Sequence, residues 1–214
     1  MLIPGWATDW RIFGGLKLDY NYLLTTRLSA SDFNGELLSQ LEQLKINKVA
    51  VLGFSLGGFL AAEFASRYPE KIIQLILLGV RKRHDGQLLA NIKREIQARR
   101  RTWLYKFYLN CFSRADTEGR AWFKKHLLKE YMDKLSLDEL IPGLDYLASH
   151  ALHPEALVSI RDIRIFHGND DMIAPVQEAL EIKSDLPRAK FTFLADSGHL
   201  FFLSRDFRER FYGG

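Results

Sequence analysis

The sequence predicts an α/β fold: a mostly parallel sheet with helices on both faces, interrupted once by a long helical stretch. Three observations carry this. Up to residue 80, short apolar runs alternate with apolar residues at helical spacing, the pattern of a parallel sheet covered on both sides. From residue 81 to about 152 no convincing strand signal occurs and helical spacing continues. After that the alternation resumes, which makes the chain one domain with an insertion. The expected core is residues 1–80 and 153–214, and the expected helical cap is residues 81–152.

In chain order, residues 1–3 read as the end of a strand and Pro4-Gly5-Trp6-Ala7 as a turn. This start is abrupt: either the sheet is trimmed or the true start lies upstream of Met1. Residues 10–16 are ambiguous. Residues 21–25 read as a short strand and 29–34 as a loop, with Asp32 or Asn34 capping the next helix. Leu37, Leu38, Leu41 and Leu44 set a helix over 35–44. A Val-rich buried strand spans 48–53, a helix 56–68 ending near Pro69, and a second buried strand 71–80. Leu89, Ile92, Ile96, Trp103 and Leu104, then Trp122, His126, Leu127 and Tyr131, then Leu137, Leu140, Leu144 and Leu147 mark several short cap helices. Strands at 162–167 and 190–194 and helices at 176–184 and 205–212 complete the chain.

Composition bounds the function. With 214 residues, 47% of them hydrophobic, the chain can bury one sizeable core. A single cysteine, Cys111, excludes an internal disulfide, and a reducing, cytoplasmic setting is expected. No apolar run approaches the ~20 residues of a membrane span, and the N-terminus lacks the pattern of a secretory signal. A monomer is expected.

The chemistry centres on Gly53-Phe54-Ser55-Leu56-Gly57, between an apolar strand and an Ala-rich helix. In that setting Gly-x-Ser-x-Gly resembles the nucleophile elbow of α/β hydrolases, where flanking glycines are expected because the turn admits no side chains. The plainer reading is a glycine-rich turn whose serine caps the helix. A serine hydroxyl needs a base, and the base an orienting carboxylate. In the hydrolase order these follow later strands as acid, then histidine. His167-Gly168-Asn169-Asp170-Asp171-Met172-Ile173-Ala174-Pro175 resembles the His-Gly-x-x-Asp-x-x-x-Pro pattern, which selects Asp171, with Asp170 as fallback. His199, in Ser197-Gly198-His199, is the expected base. His84, His126, His150 and His153 fall in or beside the cap, and His167 is expected to brace the acid loop. The oxyanion hole is expected from the backbone N–H groups of Leu56 and Trp6, and the Trp6 indole could line the substrate pocket. No metal set or phosphate-binding glycine loop is present, and the chemistry needs no cofactor.

Charge is uneven. Fifteen Lys and Arg against six Asp and Glu in residues 81–134 leave about +9, and the rest of the chain about −5. Such a field favours an acidic partner. A solvated helix surface, docking of an acidic carrier protein, and binding to nucleic acid or anionic membrane compete as readings. The last has no recognised motif behind it.

The chain resembles the pimeloyl-acyl-carrier-protein methyl ester esterases of biotin synthesis, within the α/β-hydrolase fold. Pro4-Gly5-Trp6-Ala7 is similar to that family's His-Gly-Trp-Gly turn, Gly53-Phe54-Ser55-Leu56-Gly57-Gly58 to its elbow, and Gly143-Leu144-Asp145-Tyr146-Leu147 to the segment leading out of its cap. Pro4 replaces a histidine, and the Asp-x-x-Gly-x-Gly turn is missing, with residues 29–34 in its place. The resemblance implies a carboxylic-ester hydrolase acting on the methyl ester of a pimeloyl chain held by acidic acyl carrier protein. It also implies that Arg94, Arg99, Arg100 and Arg101 are candidate docking residues. Neither nucleic acid nor membrane is expected as a partner. A short-chain carboxylesterase or thioesterase without a carrier, and a non-catalytic binding module on the same scaffold, are the alternatives.

Overall fold

The computed structural model describes residues 1–16, 18, 21–24 and 32–213. Five strands form one sheet in the order β1 (Leu2–Ile3), β2 (Val49–Phe54), β3 (Ile72–Leu78), β4 (Ile163–Gly168) and β5 (Lys190–Leu194). Every neighbouring pair is parallel. Spatial order equals chain order among these strands. The carboxyl ends of the strands therefore share one edge, where open α/β sheets place their ligands.

The central strands are apolar runs because both faces are covered. Val51, Leu75, Leu77 and Ile165 are fully buried. Helix α1 (Phe33–Gln43) turns Phe33, Leu37 and Leu41 inward, as the leucine spacing predicts, while Leu44 lies outside the helix and is exposed. Helix α2 (Leu56–Arg67) is Ala- and Gly-rich because it packs closely along the sheet and buries nine residues.

Between β3 and β4 the chain is helical: α3 (Gly86–Asn110), α4 (Thr117–Phe123), α5 (Lys129–Lys134) and α6 (Leu137–Ser149). A five-residue π turn, Lys124–Leu128, joins α4 to α5. These helices are not all short. The first runs 25 residues, with a break in helical geometry at Arg99 (φ −151°, ψ 53°). The stretch leaves and returns at one neck, where Leu152 N–H donates to the Lys82 carbonyl at 2.7 Å. Arg83 and Ala151 form an antiparallel bridge there. Helices α7 (Val176–Asp185) and α8 (Arg205–Tyr212) follow β4 and β5.

One expectation near the start is corrected, and one open reading is resolved. Residues 21–24 make no strand: Leu24 forms one isolated parallel bridge with Leu2, because the two-residue β1 offers no longer partner. The ambiguous 10–16 region is a 3-10 helix, Trp10–Gly15, capped by the Asp9 side chain. Asp32 occupies the N-cap position of α1 without a side-chain cap bond, and Asn34 lies inside the helix, donating to Glu63. Thr25 and residues 29–31 lie outside the described residues.

Candidate active site

β2 ends at Phe54 and α2 begins at Leu56, so Ser55 alone makes the turn. Its backbone takes φ 52° and ψ −115°, a conformation that costs on the order of 1–3 kcal/mol for a residue with a side chain. Ser55 N–H donates to the Leu78 carbonyl at 2.9 Å, and Gly58 N–H returns to the Ser55 carbonyl at 2.8 Å. The flanking glycines are steric necessities. A Cβ on Gly53 would stand 2.3 Å from the Gly57 carbonyl oxygen, and one on Gly57 would stand 2.2 Å from that of Ile3.

The loop after β4 supplies the carboxylate. Asp171 Oδ1 accepts the N–H groups of Ile173 and Ala174, each at 2.8 Å, so a local turn fixes the side chain. Its Oδ2 accepts from His199 Nδ1 at 2.6 Å, and both side chains are buried. A carboxylate only accepts, so Nδ1 carries the imidazole proton and Nε2 is the basic nitrogen. Asp170, the fallback, is exposed, and its backbone N–H ties to the Ser197 carbonyl. His199 follows β5 and packs its ring 4.9 Å from that of Phe54. His167 lies beneath the acid loop, donating from Nε2 to the Ala174 carbonyl at 2.8 Å; burial lowers its pKa.

Ser55 and His199 face one cavity of about 340 Å³, lined otherwise mainly by apolar side chains that include Phe107, Leu144 and Leu147. Trp6 lines it too. Its indole N–H donates to the Leu140 carbonyl at 2.8 Å, and its ring meets Phe107 edge-on at 5.1 Å. The Trp6 turn abuts the elbow: a Cβ on Gly5 would lie 3.2 Å from the Ser55 Cβ. Leu56 opens α2, so its N–H has no acceptor within the helix.

The four arginines named from the sequence are not in this cavity. Arg94 donates to Asn91 at 2.5 Å, and Arg99 pairs with Glu95 at 2.9 Å. Arg100 donates to the Leu135 carbonyl and Arg101 pairs with Asp133. The cations lining the cavity are Arg81 and Lys106. Arg81 bonds the Ile173 carbonyl at 3.2 Å and pairs with Glu178.

Three further residues escaped the sequence reading. His84 lines the cavity, and burial, then the charges of Arg81 and His199, pushes its imidazole down to about 3. It is neutral at pH 7. Cys111 also lines the cavity; burial, reinforced by the Asp171 charge, raises its thiol well above the usual range. Asp116 is buried against the loop that carries His199. None lies in a motif. Only the position of His84 and Arg81 just after a buried strand hinted at the site. His126 is exposed beside Trp122, His150 stacks on Tyr146, and His153 pairs with Glu155.

A family model described as alpha/beta hydrolase fold matches residues 6–206. The chain is 28% identical to the pimeloyl-[acyl-carrier protein] methyl ester esterase of Nitrosomonas europaea, over 99% of this chain and 91% of that protein. Among solved structures, an esterase from Exiguobacterium antarcticum superposes with a TM-score of 0.79 at 19% identity, covering 99% of this chain and 88% of that one. The enol-lactonase from Burkholderia xenovorans LB400 gives 0.82 at 15% identity, covering 99% and 88%. At those identities the two structures speak to the fold alone.

Proposed function

The chain belongs to the α/β-hydrolase fold family, and from that membership we propose that it is a serine esterase with Ser55 as nucleophile, His199 as base and Asp171 as orienting acid. One observation carries the reading: the serine at a strained strand-to-helix apex shares a largely apolar cavity with a histidine held at 2.6 Å by a buried carboxylate. In this mechanism His199 Nε2 takes the Ser55 hydroxyl proton as Oγ attacks the ester carbonyl. The N–H groups of Leu56 and Trp6 stabilise the oxyanion. The alcohol leaves with the proton from His199, and a water activated by the same nitrogen releases the acid. Asp171 keeps Nδ1 protonated and stabilises the imidazolium. Residues 81–152 act as an inserted cap that forms the cavity's outer wall.

The substrate we propose is the methyl ester of a pimeloyl chain on acyl carrier protein. The relative from Nitrosomonas europaea supports it, as do the basic balance of residues 81–134 and a cavity that can accept an acyl chain. In this reading the enzyme works as a monomer in the cytoplasm. Among the described residues no helix is long and apolar enough to cross a membrane. A carrier-independent short-chain esterase is the second reading, favoured by the in-chain partners of Arg99, Arg100 and Arg101. Turnover of carrier-bound pimeloyl methyl ester against free short esters separates the two. Much faster turnover of the free esters would remove the carrier-linked substrate. Fluorophosphonate labelling of Ser55 that depends on His199 tests the esterase chemistry itself.

A further inference from the structure

Residues 111–116, between α3 and α4, form a clasp around the loop that carries His199. Leu200 N–H donates to the Cys111 carbonyl at 3.0 Å, and the Ser113 hydroxyl donates to the Asp196 carbonyl. At the centre is Asp116, 8% exposed. One of its oxygens, Oδ2, accepts Ser113 N–H at 2.8 Å and Gly198 N–H at 2.7 Å. Gly198 immediately precedes His199. Asp116 also stands at the N-cap position of α4, where an aspartate ordinarily accepts from the first turn of its own helix. It makes no such bond. Its acceptor capacity is turned across to the base loop instead. The fit is close: a Cβ on Gly198 would stand 2.6 Å from Ser113 N and 2.7 Å from the Cys111 carbonyl oxygen.

We propose that Asp116 is a positioning residue for the base: its buried carboxylate holds the Gly198–His199 backbone so that the imidazole stays on Asp171 and faces the cavity. It acts through His199 and touches no substrate. Because Asp116 and its clasp belong to the helical stretch between β3 and β4, that stretch aligns the base as well as walling the cavity. A charged acceptor for two backbone donors makes a short, directional pair of bonds, and small displacements of a catalytic group cost rate steeply.

The inference rests on the esterase reading for its kinetic arm and has a second arm that does not. Kinetically, Asp116→Ala is expected to lower kcat for p-nitrophenyl acetate by roughly 10²-fold while KM stays within about threefold. Asp116→Asn keeps a carbonyl oxygen for the same donors and restores most of the loss. Spectroscopically, the low-field proton resonance of His199 Nδ1–H on Asp171 should be present in the wild type, lost or broadened in Asp116→Ala, and restored in Asp116→Asn. A merely structural aspartate would lower thermal stability but leave both kcat of the folded protein and that resonance unchanged, which would overturn the proposal. Should Asp116→Ala not fold, Asp116→Ser, whose hydroxyl stops one bond short of the oxygen that accepts Gly198 N–H, is read in the same way. An inactive wild type with no labelling of Ser55 would remove the esterase reading, and the resonance still decides the role of Asp116.

Discussion

A Cβ on Gly79 would stand 3.1 Å from Nδ1 of His199 and 3.6 Å from Oδ2 of Asp171. Gly79 runs beneath the His199–Asp171 pair at φ 57°, held by its N–H to the Phe166 carbonyl at 3.0 Å. The end of β3 is thus the floor on which the imidazole lies. Gly79→Ala adds a strained conformation costing about 1–2 kcal/mol and lifts the ring from Asp171. We expect a lower melting temperature and a fall in kcat of at least roughly tenfold for a small ester. Wild-type kcat in the folded variant would show that the ring tolerates the intrusion.

The two adjacent aspartates give a sharp contrast. Asp171→Asn removes the acceptor that fixes the His199 tautomer, and kcat should fall by roughly 10³–10⁴-fold. Asp170→Asn changes an exposed side chain outside the pair and should leave kcat within about twofold. Ser55→Ala should abolish both turnover and fluorophosphonate labelling. A large loss in Asp170→Asn with a small one in Asp171→Asn would reverse the assignment of the acid.

What could be read without coordinates follows physical locality. The buried strands and α2 were legible because periodicity, glycine sterics and strand length act over a few residues. The elbow was legible because Gly53 and Gly57 are forced by contacts next to Ser55. Asp171 was legible from its register before Pro175. The strand expected at 21–25 was not, since strand formation depends on a partner and among the described residues the two-residue β1 meets that stretch at one bridge, Leu2 with Leu24. Arg100 and Arg101 read as candidate docking residues, but their in-chain partners, Leu135 and Asp133, lie more than 30 residues away in sequence. Asp116 read as nothing because its acceptor role depends on Gly198, 82 residues on.

His84 sets a pH dependence of stability. Its imidazole falls from the ordinary 6.5 to about 3 in the folded chain, so between those values the unfolded chain binds a proton that the folded chain does not. Stability therefore falls as pH drops through 6.5 and continues to fall toward 3, by at most about 1.4 kcal/mol per pH unit from this group. His167, also lowered by burial, acts in the same direction. His84→Gln should flatten the decline in urea midpoint between pH 7 and pH 4. An unchanged slope would mean that the ring takes up its proton in the folded protein.

The basic helix offers the hardest test of the carrier-linked substrate. Arg99→Glu with Arg100→Glu would impair carrier-linked turnover more than that of a small ester if these residues dock the carrier. The double change also creates a like-charge pair with Glu95 and removes the bond to Leu135, so a structural loss would strike both substrates. Lys106 avoids that ambiguity. It is exposed on the same helix and lines the cavity, so its charge acts on an anionic group brought there. Lys106→Glu reverses the charge there and should reduce kcat/KM for the carrier-linked ester at least about tenfold more than for p-nitrophenyl acetate. The gap should narrow as salt is raised, since the attraction between exposed charges is screened. Equal losses on both substrates, or a gap insensitive to salt, would remove electrostatic docking at the cavity mouth and favour the carrier-independent esterase.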